Sequence, residues 1–131
     1  MGDDETWFSH EKLEVYQESI AFVAWLTSVL DGASRLGEVK DQLDRASISI
    51  ALNIAEGNGK FTTRDRCRFF DIAHGSTLEC PAGLDILVAK ARLKPDEIHP
   101  GKQRLRRIVR MLMGLIKRNS SRNYNTPADP I

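Results

Sequence analysis

The residues of this chain best placed to do chemistry are cations. Between Pro100 and Asn125 there is no acid, while Lys102, Arg104, Arg106, Arg107, Arg110, Lys117, Arg118 and Arg122 are all basic. On a helical wheel Lys102, Arg106, Arg110 and Lys117 fall within about 80° of one another, flanked by Arg107 and Arg118. Aligned cations suit phosphates. Each phosphate neutralised releases counterions, so such binding is sequence-independent and salt-sensitive. No aromatic residue interleaves the row, so base stacking has no platform there. The candidate nucleic-acid contacts are therefore Lys102, Arg104, Arg106, Arg107, Arg110, Lys117 and Arg118, acting on RNA or DNA backbone. The competing readings are a solvated face that complements the helix dipole, or a dock for an acidic protein. Missing acids at i,i+4 argue against a face built for helix stability alone.

Catalysis has one candidate pair, Arg68 and His74. Their spacing fits the R-x(4–6)-H pattern of the HEPN ribonucleases, in which His is the acid or base and Arg steadies phosphate charge. A spacing of six puts the two side chains about 120° apart on one helix. The polar residue that often follows the Arg in that family is replaced by Phe69. The expectation is instead that Arg68 pairs with Asp71 or Glu79 and that His74 is partly exposed, with no nucleophile or metal beside it. No residue is assigned as catalytic. His10, His74 and His99 fall on different segments and no Glu-x-x-His pair is present, so no metal is expected. No Gly-rich phosphate loop follows a strand, and no cofactor is expected. Cys67 and Cys80 would sit roughly 20 Å apart on one helix, too far for a disulfide. They read as buried free thiols of a reducing compartment.

Helices must position these residues. At 131 residues with a net charge of +1, the chain has room for one domain with one core. Acids dominate up to Asp44 and bases after Pro100, which suggests a polyanionic partner or attraction between unlike surfaces of neighbouring copies. An acidic lead-in spans 1–9, the bundle domain 10–119, and a polar tail over 120–131, with two prolines, is expected to be disordered. Ser9 is the expected N-cap of a first helix that stops at Asp31-Gly32. A second helix is predicted from about Leu36 to Glu56, ended by Gly57-Asn58-Gly59 through left-handed conformations. Thr62 should cap a third helix, with Asp65 in the capping-box position and Pro81 kinking it without breaking it. A turn at Leu93–Pro100 leads to a fourth helix from about Pro100 or Gly101 to Asn119. The architecture expected is an all-α, up-down-up-down antiparallel four-helix bundle. With Met1–Glu5 acidic and no apolar run near the ~18 residues of a membrane span, a cytoplasmic chain with no membrane partner is expected.

Two of these helices carry a second apolar stripe. On the first, Leu13, Tyr16, Ile20, Val23, Ala24 and Leu30 share one side, while Val15, Phe22, Leu26 and Val29 share the other. On the second, Leu36, Val39, Leu43, Ala46, Ile50 and Ile54 form a core stripe, and Ile48, Leu52 and Ala55 another. A small bundle has one core, so the extra stripes imply a second copy of the chain. Val15, Phe22, Leu26 and Val29, with Ile48, Leu52 and Ala55, are the expected seam, and Trp25 its edge. Within this signature Asn53, Gly57 and Gly59 read as structural: the Asn53 amide serves a backbone group and the glycines supply the turn. Gly75 reads as a close-packing point, with the Ser76 hydroxyl bonded back to a helix carbonyl.

Four blocks also carry a family resemblance: Leu13–Gln17 (LEVYQ), Ala46–Gly57 (ASISIALNIAEG), Phe69–Glu79 (FFDIAHGSTLE) and Met111–Ile116 (MLMGLI). The pattern resembles the four-helix-bundle proteins encoded in 23S rRNA intervening sequences. Their relatives include the accessory variability determinant of diversity-generating retroelements. The resemblance implies a homopentameric, barrel-like assembly with a basic surface. Its retroelement members bind nucleic acid and a reverse transcriptase, which makes both implied partners. Two positions depart from the pattern, Ala51 where the family usually has Pro and His74 where it usually has Arg.

Overall fold

The computed structural model describes residues 7–120 and contains four helices, α1 (Glu14–Asp31), α2 (Glu38–Asn58), α3 (Thr63–Ala89) and α4 (Pro95–Arg118). A single 3-10 turn, Ser9–Lys12, precedes them. No strand occurs among the described residues, and no helix there is long and apolar enough to cross a membrane. Residues 1–6 of the lead-in and 121–131 of the tail lie outside the described residues.

Local chemistry sets most helix ends. Thr62 Oγ1 accepts the Asp65 N–H at 3.1 Å, the expected cap of α3, and α3 passes through Pro81 as one helix. α1 stops at Asp31, with Gly32 bonding back to Ser28. Ser9 does not cap α1. It opens the 3-10 turn, and its hydroxyl accepts the Asn58 amide at 2.6 Å. α4 begins at Pro95, more than a turn before Pro100. Proline suits the first turn, where the N–H is unpaired in any case, and the Glu97 carboxylate accepts the Lys94 N–H at 2.9 Å. Gly57 and Gly59 also differ from expectation. Gly57 lies inside α2, and Gly59 has φ −84°. The left-handed residues are Arg35, Gly37 and Ala91, in the two other connections. Arg92 Nε bridges those connections with a 2.9 Å bond to the Arg35 carbonyl.

Each helix packs on two neighbours: α2 on α1 and α3, α4 on α3 and α1. The α2–α3 seam is the most extensive. An added Cβ at Gly57 would meet Phe70 Cε1 at 2.6 Å and the Arg66 carbonyl at 3.2 Å, and one at Gly83 would meet Leu43 Cδ2 at 2.7 Å. Ser49 and Ser76 hydroxyls bond across this seam at 2.8 Å, and the Asn53 amide donates to the Ser49 carbonyl at 2.9 Å. Asn53 therefore serves a backbone group as expected. Ser76 reaches across to α2 instead of back along α3, and Thr77 makes the back-bond, to Ala73 at 2.7 Å. Gly75 is exposed with open space around it and is not a packing point.

The α1 stripes exchange roles. Phe22 and Leu26 are 0% and 1% exposed, and with Val15 and Leu30 they fill the chain's own core. Val29 packs partly on that core. Trp25 stacks on Phe22 at 5.7 Å and lies against Gly101 of α4. Val15, Phe22 and Leu26 are thus used within the monomer and are not a seam, while Trp25 and Val29 pack on the core and stay half-buried. The heptad-like spacing that suggested one also describes how helices pack inside a bundle. Of the expected seam, Ile48 and Leu52 are exposed and Ala55 half-buried, now joined by Ile20 from the other α1 stripe. The α2 core stripe from Leu36 to Ile54 is buried as expected, except for half-buried Val39.

The glycine contacts give a direct test. Gly57→Ala should destabilise the monomer by about 1–3 kcal/mol through overpacking against Phe70, read as a lower urea midpoint at unchanged m-value. Gly75→Ala, facing open space in a helix, should be neutral or mildly stabilising.

Candidate nucleic-acid interface

α4 is apolar along Ile98, Leu105, Ile108, Leu112 and Ile116, all buried, and carries its cations on the opposite side. The structure divides the seven candidate cations in two. Lys102 is ion-paired with Asp85 of α3. Arg104 Nη1 and Arg107 Nη2 both donate to Glu18 Oε1 of α1, at 2.7 Å and 3.2 Å. The acids absent from α4 beyond its first turn are thus supplied by the helices on either side. Glu18 is largely covered, so these two arginines fasten α4 to α1. Partly exposed pairs of this kind contribute at most about 1 kcal/mol each.

Arg106, Arg110, Lys117 and Arg118 are exposed, with no described acid within ion-pair distance. Arg106, Arg110 and Lys117 form a row within about 40° on the wheel. At 1.5 Å per residue they are spaced about 6 Å and then about 10 Å along the axis. Because α4 begins at Pro95, exposed His99 falls on the same face one heptad before Arg106. The α4 start expected from the sequence had left His99 in a turn. Arg118 and Arg110 also border a groove of about 340 Å³ between the start of α1 and the end of α4, with Glu14 opposite.

The other candidate chemistry is not brought together. Arg68 lies with its Cζ 5.4 Å from the centre of the Phe69 ring, a cation–π contact in place of the expected ion pair. Arg68 and Asp71 line a cavity of about 580 Å³ between the start of α3 and the end of α4, which His74 does not line. His74 is half-buried, one turn further on. Cys67 and Cys80 are both buried and free, as expected. Cys67 Sγ–H points to the Asn119 carbonyl at 3.2 Å. Burial, aided by the charge of Glu79, pushes the Cys80 thiol up to about 12, so it stays protonated and unreactive. No cluster of three His, Cys, Asp or Glu side chains suited to a metal occurs among the described residues.

Sequence reasoning missed two features. Glu18 gives no local signal, because its partners lie more than eighty residues away and meet it only through the α1–α4 contact. The second is the corner between α2 and α3, where Phe61 is fully exposed in a stretch that also carries Lys60, Arg64 and Arg68. Its available signal was an aromatic residue in a polar connection, directly after Gly59-Lys60.

No curated protein matches the chain significantly. The family described as 23S rRNA-intervening sequence protein matches residues 11–114, which takes in α1, α2, α3 and most of α4. With four helices and no strand over that span, the chain belongs to the 23S rRNA-intervening sequence protein family.

Proposed function

We propose that this protein is a non-enzymatic, homo-oligomeric nucleic-acid-binding bundle that grips phosphate backbone through Arg106, Arg110 and Lys117. The observation that carries this reading is the division of α4: Lys102, Arg104 and Arg107 are tied to Asp85 and Glu18, while this row stays exposed with no ion-pair partner among the described residues. Leaving like charges aligned at i,i+4 costs helix stability, a cost that binding phosphate would remove. Several such rows in one assembly would add by avidity. The resemblance to retroelement accessory proteins supports an accessory role in an RNA- or retroelement-related process, with a reverse transcriptase as a further partner, inside the cell.

Self-association rests on the α1–α2 face. Val23 and Ile48 border one groove there, and Ile20, Ile48 and Leu52 are about half exposed. Covering such side chains is worth about 1.5–3 kcal/mol each when complete. The bundle is read as up-down-up-down with antiparallel neighbours, consistent with its short connections. A ring of five is the assembly that the resemblance favours.

Three outcomes are expected. Ile48→Asp with Leu52→Asp should lower the mass measured by light scattering at micromolar concentration while leaving the helical signal intact. Leu26→Asp should instead unfold the chain, because Leu26 is core. In mobility-shift assays across a salt series, unrelated RNA and DNA should bind most tightly at low salt. Arg106→Glu with Arg110→Glu should weaken all sequences alike, lowering the salt slope by about 2. No binding at low salt would replace this reading with docking of an acidic protein. Labelled RNA without added metal should stay intact with the parent and with His74→Ala, whereas cleavage lost in His74→Ala would establish a ribonuclease.

A further inference from the structure

Every fully exposed aromatic among the described residues sits at one end of the bundle. Phe61, in the connection between α2 and α3, is 101% exposed, and Trp7 is 87% exposed. Phe8 is also exposed, and it joins this end because Ser9 is bonded to Asn58 near the end of α2. The end of α4 arrives there too, since Asn119 meets Cys67 near the start of α3. Elsewhere the described aromatics are buried or half-buried.

Bases crowd the segment that carries Phe61. The stretch from Lys60 to Arg68 holds four bases, Lys60, Arg64, Arg66 and Arg68, against the single acid Asp65. Lys60 Nζ and Arg68 Cζ lie 4.9 Å and 5.4 Å from the centre of the half-buried Phe69 ring, which holds both cations at this corner. Arg66 braces the corner by donating to the Asn58 carbonyl at 3.1 Å. Arg64 is exposed with no ion-pair partner among the described residues. Single exposed apolar residues are ordinary. Here, however, a bare phenyl ring stands on a braced connection within a stretch dominated by bases.

We infer that this corner is a stacking site for unpaired bases, with single-stranded RNA or DNA as its ligand. Phe61 offers its ring face to a base, while Lys60, Arg64 and Arg68 take the flanking phosphates. That combination of aromatic platform and cationic rim is what single strands need, and stacking tolerates any base. A duplex hides its base faces and can use only the cations. The inference deepens the nucleic-acid reading and rests on it, adding a preference that the α4 row alone cannot give.

The test is fluorescence anisotropy of the full-length chain at low salt. The probes are a labelled 20-nucleotide RNA, the DNA of the same sequence, and the corresponding duplexes. Single strands should bind more tightly than duplexes. Phe61→Ala should weaken single strands roughly tenfold and leave duplexes unchanged, and Phe61→Trp should restore binding. Phe61 makes no packing contribution, so helical content and mass should be those of the parent. A preference for RNA over its DNA counterpart would identify which strand the corner takes. Equal single-strand affinity for Phe61→Ala and the parent would overturn the stacking site, while loss of duplex binding in Arg106→Glu/Arg110→Glu would keep the backbone reading standing. Absence of all binding would overturn both. A change of mass in Phe61→Ala would overturn the inference in favour of a contact between copies.

Discussion

The fold depends on how closely α2 and α3 approach. Near one end of their seam Phe70 of α3 fills the space that a side chain at Gly57 would occupy. Near the other, Leu43 of α2 fills the space at Gly83. Each helix thus supplies a bulky residue and a matching gap, and the contact closes only if both gaps are kept. Between them the Ser49–Ser76 bond joins the two helices by a polar link. Ser76 is buried and Ser49 half-buried there, so this bond satisfies a hydroxyl that would otherwise lose its partner at the seam. A register shift would leave both hydroxyls and both large side chains without their places.

That seam determines where the remaining helices can lie, and through them where charge is neutralised. α1 and α4 each pack on one member of the α2–α3 pair and on each other. Their mutual contact brings Glu18 beneath Arg104 and Arg107 and places the ring of Trp25 over Gly101. A face that is uniformly basic in sequence therefore becomes uneven in space. Its flanks are bound to neighbouring helices, and its centre keeps a row of unpaired cations. Electrostatic attraction for a polyanion concentrates at that centre.

The two charged surfaces differ in kind. The α4 row is cationic without aromatic residues, suited to backbone alone. The α2–α3 corner joins cations to exposed rings, with Phe69 holding two of the cations by cation–π contact. Both draw on the same end of the molecule, because the end of α4 meets the start of α3. Exposed aliphatic side chains remain on α1 and α2, at Ile20, Ile48 and Leu52, and on α3, at Ile72, Leu78 and Ile86, but none is on α4 itself.

Much was legible in the sequence alone, because it is local. Four helices, the Thr62 cap, the unbroken run through Pro81, the α2 core stripe and the buried thiols all follow from spacing or neighbouring chemistry. The start of α4 was misplaced because Pro100 reads as a boundary, whereas α4 passes through it as α3 passes through Pro81. What tertiary structure alone decided was orientation and pairing. Periodicity shows that α1 has two apolar sides and is silent on which faces inward. Only packing against α2 and α4 put Phe22 and Leu26 in the core and left Ile20 outside. Likewise, composition counted the cations, while the meeting of α4 with α1 and α3 determined which kept their charge unpaired. A stripe is a property of one helix, but burial and ion pairing are properties of two, and their partners lie too far along the chain for spacing to find them.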